Sequence, residues 1–364
     1  MCGIAGYLGG SRPPLADALA SLRHRGPDGQ GQWEGELAGQ QAGLAHARLA
    51  IIDLSPAGQQ PMATADGKLR LVFNGEIYNF RELRAELERL GHAFHTHTDT
   101  EVILLGYRQW GDDVVTHLRG MFAFALYDFH KDRALLARDR LGIKPLYYQA
   151  LPGTLRFASE AKGILAMLPE RPGVDLYALR DYLTYLYVPY PRTIYQGMAQ
   201  LPPAHVLVWE KGRASLHRYW RLPEPERKAR DERELALELR SLLEETVRLH
   251  LVSDVPLGAF LSGGLDSTTL VALMARETGK RVKTFCMTFE PDAGLYDERE
   301  YARAVADMYG TDHTEIPVKA DLTDLLPATL EHFDEPFGNP TSLLVYLLSQ
   351  KTREHVTVAL AGDG

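Results

Sequence analysis

Cysteine is nearly absent: Cys2 and Cys286 are the only two in 364 residues. No disulfide framework can be built from them, and a reducing compartment, the cytoplasm, suits the chain. A surplus of positive charge is missing too. Lys and Arg number 40 against 48 Asp and Glu, a formal net charge of −8, which argues against a general nucleic-acid or anionic-membrane binder. No apolar run approaches the length of a membrane span, and the start lacks the basic stretch and apolar core of a secretory signal. There is no fixed-period repeat and no low-complexity tract. What is present, 45% hydrophobic and 24% charged residues, is the composition of a globular protein long enough for two domains of ordinary size.

The chain opens Met1-Cys2-Gly3-Ile4. If Met1 is removed, Cys2 carries both a thiol (pKa ~8.5) and a free α-amine (~7.7–8.0). The amine then serves as general base for its own thiol, as an N-terminal nucleophile requires, and Gly3 leaves room for a substrate. Taken alone, a Cys at position two is as readily an accident of composition; the residues downstream decide. Apolar alternation gives strands over residues 4–8, 42–52 and 69–73, and paired strands over 120–128 with 134–139 and over 146–148 with 155–158. Helical spacing covers 15–22, 82–90 and 100–110. This pattern reads as stacked antiparallel sheets flanked by helices.

Several residues are candidates to serve Cys2. Arg48, in an otherwise apolar strand, has the fork geometry to bind a carboxylate with two parallel hydrogen bonds. Its plainer reading is a surface Arg on an edge strand. Asn74 and Gly75, expected at a tight turn after residues 69–73, offer an amide and an N–H to a developing oxyanion; Asn-Gly is also simply a turn pair. Asp99 is either the N-cap of the 100–110 helix or the partner of a substrate ammonium. Together Arg48, Asp99 and Cys2 would recognise an α-amino acid bearing a side-chain amide. His92, His95 and His97 with Asp99 hint at a metal. A convincing zinc site needs three or four ligands and a second shell, so they read as solvated loop histidines.

These stretches, with Arg25-Gly26-Pro27-Asp28, His46-Ala47-Arg48-Leu49, Asn74-Gly75-Glu76-Ile77-Tyr78-Asn79, Thr98-Asp99-Thr100-Glu101 and the run from Arg138 to Tyr147, resemble a class II glutamine amidotransferase domain. The resemblance implies the four-layer αββα fold of N-terminal nucleophile (Ntn) hydrolases and glutamine as substrate. It further implies that Cys2 attacks the carboxamide, that Asn74 and Gly75 stabilise the oxyanion, and that Arg48, Glu76 and Asp99 hold the amino-acid end. The backbone of Leu49, Ala50, Ile51 and Ile52 would assist.

Residues 175–187 read as an aromatic-rich amphipathic helix whose stripe is expected in the core. Residues 205–210 and 214–219 read as a hairpin, and 221–233, charged and proline-bearing, as a linker, placing the domains at 1–220 and 221–364. Beyond it, strands at 255–261, 282–289, 314–318 and 356–361 alternate with helices, which predicts an α/β unit with a parallel sheet and a ligand at the strands' carboxyl ends. Ser262-Gly263-Gly264-Leu265-Asp266-Ser267, between strand and helix, is an anion-binding arrangement without the Lys of a Walker loop, or else a plain strand-to-helix turn.

That loop resembles the pyrophosphate loop of ATP pyrophosphatases. With the first domain, and with Tyr301-Ala302, Gly310-Thr311-Asp312-His313, Asp334-Glu335-Pro336 and Ala361-Gly362-Asp363-Gly364, the whole resembles the glutamine-hydrolysing asparagine synthetase family. The resemblance implies a Rossmann-like adenine-nucleotide domain, and ATP, magnesium, aspartate and glutamine as ligands. Leu261 and Met287 would contact adenosine, and Ser262, Gly263, Gly264, Asp266 and Ser267 would hold pyrophosphate, with Asp266 on the metal. Ala361 and Gly362 would lie near the nucleotide and Asp363 near the reaction intermediate. Nucleic acid and membrane are not expected partners; a homodimer is left open. Ala361 replaces the family's usual Ser, and family members continue past the point matched by Gly364. The sequence therefore reads as a fragment or truncated product, expected to hydrolyse glutamine but to make little asparagine. The alternatives are an amidotransferase for a peptide or glycan acceptor, and a non-catalytic remnant.

Overall fold

The computed structural model describes residues 1–225, 230–289, 297–318 and 321–362. Asp363 and part of the expected linker lie outside the described residues. The chain divides into two compact units, Met1–Glu224 with Asp334–Gly338, and Pro225–Phe333 with Asn339–Gly364.

The first unit has twelve strands: β1 (Gly3–Gly9), β2 (Gly29–Leu37), β3 (Gln40–Arg48), β4 (Met62–Ala63), β5 (Leu69–Ile77), β6 (Gly120–Asp128), β7 (Arg133–Arg138), β8 (Tyr147–Leu151), β9 (Thr154–Ala158), β10 (Ala199–Gln200), β11 (His205–Glu210) and β12 (Arg213–Arg218). They form two antiparallel sheets, ordered β10-β8-β9-β1-β3-β2 and β12-β11-β7-β6-β5-β4. Six helices accompany them: α1 (Leu15–Ser21), α2 (Phe80–Arg89), α3 (Thr100–Trp110), α4 (Val114–His117), α5 (Ala161–Leu165) and α6 (Leu176–Tyr185).

β1 shows how the layers arise. Its side chains alternate between faces. Ile4 and Leu8 enter the core between the sheets with Leu44, Val72, Ala125 and Leu136. Ala5 and Tyr7 face the other way, under Leu15, Ala18 and Ile164 of α1 and α5. A strand buried on both faces can stand only in the middle of a layered stack. With α3 packed on β5 across the second sheet, the result is the αββα arrangement of Ntn hydrolases.

Four expectations are corrected. The 42–52 strand stops at Arg48, and residues 49–58 form a loop with one 3-10 turn at Pro56–Gly58. β5 runs through Asn74 and Gly75 to Ile77, so this pair is strand and not turn; β6 pairs with it throughout. β2 was not anticipated: Gly-Gln-Gly-Gln-Trp-Glu-Gly-Glu-Leu has no apolar alternation, because it forms a polar sheet edge. The aromatic stripe of α6 is core only in part: Leu179 and Tyr182 pack on Ala178, Val188 and Ile194. Tyr177, Leu183 and Tyr185 are exposed, and Ala178 alone in that helix is buried. Residues 92–99, which carry His92, His95 and His97, are irregular, in keeping with their reading as loop histidines.

The second unit contains α7 (Glu232–His250), β13 (Leu257–Phe260), α8 (Leu265–Thr278), β14 (Lys283–Phe289), α9 (Arg299–Tyr309), β15 (Asp312–Val318), α10 (Leu326–His332), α11 (Thr341–Thr352) and β16 (Val358–Leu360). Its strands are parallel, ordered β15-β14-β13-β16. Cys286 of β14 packs with α8 and α9, and Phe285 with Leu348 of α11 on the other face. This is a Rossmann-like α/β unit. No helix among the described residues is long and apolar enough to cross a membrane.

Candidate active site

Cys2 lies at the mouth of β1, where β3 ends alongside it. Its Sγ accepts from the Leu49 N–H at 3.4 Å and lies 3.6 Å from the Leu49 carbonyl. Arg25 donates from Nε to the Cys2 carbonyl at 3.0 Å, and Asp28 accepts from the Ala50 N–H at 2.9 Å. The Arg-Gly-Pro-Asp turn thus pins both the nucleophile and the loop beside it. A cavity of about 30 Å³ opens at the thiol. On its wall the structure brings together Cys2, Arg48, Leu49, Ala50, Ile51, Ile52, Gly75, Glu76 and Asp99. Gly58, Gln60, Phe73, Thr98 and Thr100 also line it and were not anticipated. Thr98 and Thr100 flank Asp99 in a stretch already singled out. Gln60 and Phe73 carried no local signal.

The direction of the Gly75 N–H follows from strand parity. Gly75 is paired with Phe122, but the Phe122 N–H donates to Asp139 Oδ2 at 3.1 Å and its carbonyl accepts from Asp139 N at 2.8 Å. Phe122 therefore directs its polar groups away from β5, which makes Gly75–Phe122 a non-hydrogen-bonded pair. The N–H groups of residues 73, 75 and 77 accordingly point off the far edge of β5. That of Phe73 meets Gln60 Oε1 at 2.6 Å and that of Ile77 meets Asp99 Oδ2 at 2.9 Å. β4 pairs with β5 only at Leu71 and Arg70, so the Gly75 N–H opens onto the cavity. Asn74 lies on the same face of β5 as Glu76, fully buried, with neither amide atom hydrogen-bonded. An orphaned buried amide costs roughly 1–3 kcal/mol, so it stands ready for a ligand or water partner.

Charge is arranged as unevenly as hydrogen bonding. Burial, and then the Asp99 charge, push the Glu76 carboxyl well above its usual range, although Lys144 and the N-terminal amine pull it down. Burial lifts Asp99 to about 6 despite the Ile77 and Thr98 donors. Two neighbouring carboxylates so placed favour an added cation. Burial raises the Cys2 thiol, so it is protonated at neutral pH and needs a base. The amine beside it, here that of Met1, is drawn down to about 5 by burial, with Arg25 and Lys144 adding to the effect. Lys144 is buried, with Nζ 3.0 Å from Met1 Sδ, and was missed as a site residue although it stands in the Arg138–Tyr147 run.

In the second unit β13 leads to neighbours on either side, β14 one way and β16 the other, so its carboxyl end is a topological switch point. Ser262–Ser267 stands there. Ser262 Oγ is 3.0 Å from Ser267 Oγ and accepts from the Gly264 N–H at 3.3 Å. Gly263 has φ +83, and a Cβ on it would strike the backbone of Tyr301 and Ala302. α8 starts at Gly264 with no side-chain cap, leaving its first N–H groups for an anion. Leu261, Ser262 and Met287 line a cavity of about 120 Å³ with Phe260, Phe285 and Phe289. Asp266 is exposed in the first turn of α8, Ala361 is exposed, and Gly362 abuts Ser267.

Residues 1–220 match the glutamine amidotransferase domain family and residues 238–364 the asparagine synthase family. Over its full length the chain is 36% identical to "Putative asparagine synthetase (glutamine-hydrolyzing) 2" of Methanocaldococcus jannaschii, covering 74% of that protein. The chain belongs to the glutamine-hydrolysing asparagine synthetase family. It is 34% identical to asparagine synthetase (glutamine-hydrolyzing) 1 of Bacillus subtilis, again along its whole length, but spans only 58% of that relative. Among solved structures, the glutamine phosphoribosylpyrophosphate amidotransferase of Bacillus subtilis is similar at 14% identity and a TM-score of 0.46, with 95% of this chain and 92% of that one covered, a likeness too loose to bear on function. The chain presents a thiol pocket in its first unit and a glycine-bearing loop at a topological switch point in its second.

Proposed function

We propose that the chain releases ammonia from glutamine at Cys2 and belongs to an enzyme that uses ATP to amidate the β-carboxylate of aspartate. The observation that carries this is the single pocket joining the Cys2 thiol, the Gly75 N–H, the Arg48 guanidinium and the Glu76–Asp99 carboxylate pair. Glutamine bears a complement to each. Its α-carboxylate fits Arg48, its ammonium fits Asp99 and Glu76, and its carboxamide carbon meets the thiol. With Met1 removed, the Cys2 amine takes the thiol proton as sulfur attacks. The carbonyl oxygen becomes an oxyanion held by Gly75 N–H and Asn74 Nδ2. The amine then protonates the departing ammonia, and water hydrolyses the thioester to glutamate.

In the second reaction an aspartate β-carboxylate oxygen attacks the α-phosphorus of ATP and pyrophosphate leaves. Ammonia then displaces AMP, giving asparagine. The residues present fit a nucleotide: a glycine-lined loop, an uncapped helix start and an apolar cavity along Leu261 and Met287. Ser262, Gly263, Gly264 and Ser267 would hold pyrophosphate, and the exposed Asp266 carboxylate would hold magnesium, which supplies charge neutralisation on the phosphates. Ala361, Gly362 and Asp363 are proposed beside the nucleotide and intermediate.

Ammonia release from glutamine, measured with the 364-residue polypeptide, tests the first step. Cys2→Ala should abolish it; retention of activity in that variant would disprove the role of Cys2. The same polypeptide is expected to form little or no asparagine from aspartate, ATP and ammonia. Asparagine formation at a rate matching its glutamine hydrolysis would refute that expectation.

A further inference from the structure

The Arg48 guanidinium is held in place from behind. Nη1 donates to the Ser55 carbonyl at 2.9 Å and Nη2 to the Asp53 carbonyl. Gly58 lies flat against it, with no space for a Cβ between the two. Both carbonyls belong to the loop after β3, which has no ladder to fix its shape. Asp53 is what shapes it. Its φ is +55, the left-handed region, where a residue with a Cβ stays only if its surroundings hold it.

The carboxylate supplies that hold. Oδ1 accepts from Ser55 N at 3.1 Å and from Ser55 Oγ at 2.5 Å. Oδ2 reaches across to the N–H of His97 at 3.0 Å. The side chain is buried, and although burial pushes its pKa up, the Ser55 and His97 donors keep it below the usual range, so it is ionised at neutral pH. His97 stands two residues before Asp99, whose own carboxylate is tied to β5 through Ile77. One buried anion thus joins the loop that aims Arg48 to the segment that carries Asp99.

We propose that Asp53 is a positioning residue that sets the spacing between the Arg48 fork and the Asp99 carboxylate, so that the pocket selects a free α-amino acid by its two charged ends. Asp53 does not touch the substrate; it acts through Arg48. The inference rests on the glutaminase reading above.

Steady-state glutamine hydrolysis tests it. Asp53→Asn keeps the shape but turns one amide hydrogen against a donor, either Ser55 or His97. KM for glutamine is expected to rise about tenfold, the loss of one charge-assisted contact, with kcat within about twofold. Glutamine α-amide, which lacks the carboxylate, should show the same kcat/KM in both proteins for cleavage of its side-chain amide. A purely structural role would depress both substrates alike, and that result overturns the proposal. So does an unchanged KM in a folded Asp53→Asn. If that variant does not fold, Ser55→Ala, which removes one donor to Oδ1, carries the same test with a KM rise of about threefold. If the unsubstituted chain, with Met1 removed, releases no ammonia from glutamine, it is the glutaminase reading that fails, before any variant is compared.

Discussion

Asp99 shows how a single residue changes meaning on folding. By position it is a helix N-cap, yet its side chain makes no capping bond; it is buried and accepts from Ile77 N–H and Thr98 Oγ1. Its carboxyl titrates near 6, so below that pH it is neutral and its attraction for a substrate ammonium is lost. The kcat/KM for glutamine, which reports the free enzyme, should therefore fall as pH drops through about 6, and Asp99→Asn should remove that limb while raising KM. A pH profile of both proteins checks this; an acid limb unchanged in Asp99→Asn would assign it elsewhere. Gly58 offers a second test. A Cβ there meets the Arg48 guanidinium first and the Asp53 carbonyl oxygen beside it, so Gly58→Ala should push the guanidinium off its anchors and raise KM about tenfold. At this scale the grouping of residues was legible in the sequence: Cys2, Arg48, Gly75, Glu76 and Asp99 all reach one cavity. Gln60, Phe73 and Asp53 were not, because each acts through partners far away in the chain.

β5 is the element on which the site turns. It was read five residues wide and ended before the Asn-Gly pair, since that pair so often makes turns. Pairing with β6 carries it on to Ile77, and the pairing decides which N–H groups face the cavity. Gly75→Ala would drive a Cβ into Met121 O and Phe122 Cα, both backbone, which have nowhere to yield. The expected outcome is a loss of kcat of about 10²-fold or more, with destabilisation of roughly 1–3 kcal/mol, read by turnover and by denaturant melts. Wild-type turnover in Gly75→Ala would show that the added Cβ leaves this N–H in place, and would refute the clash. In the second unit the loop after β13 was read correctly, because a strand, two glycines and a helix start are all local signals. β2 and the exposed face of α6 were misread for the opposite reason. An edge strand needs no apolar alternation, and an apolar stripe does not reveal what covers it.

For the whole molecule, the informative segment is Asp334–Gly338. It lies between α10 and α11 of the second unit, yet its contacts place it in the first. Asp334 accepts from the Lys162 N–H at 3.1 Å, and Glu335 accepts from Ile194 N at 2.7 Å and from Tyr147 Oη and Gln200 Nε2 at 3.1 Å. A fragment of residues 1–224 would leave these donors without their carboxylates, at a cost of roughly 2–3 kcal/mol. Calorimetry should show it melting several degrees below the first unit in the full chain; equal melting would show that the segment adds no stability. The sequence by itself determined the place of Cys2 as the proposed nucleophile, the glycine loop and the succession of an antiparallel and a parallel unit, because each is written in neighbouring residues. Tertiary structure alone decided which edge of β5 stays bare, how deeply Asp99 sinks and to which unit Asp334 and Glu335 attach. Those depend on strand pairings and ion contacts between residues tens to hundreds of positions apart, whose energies no local pattern records.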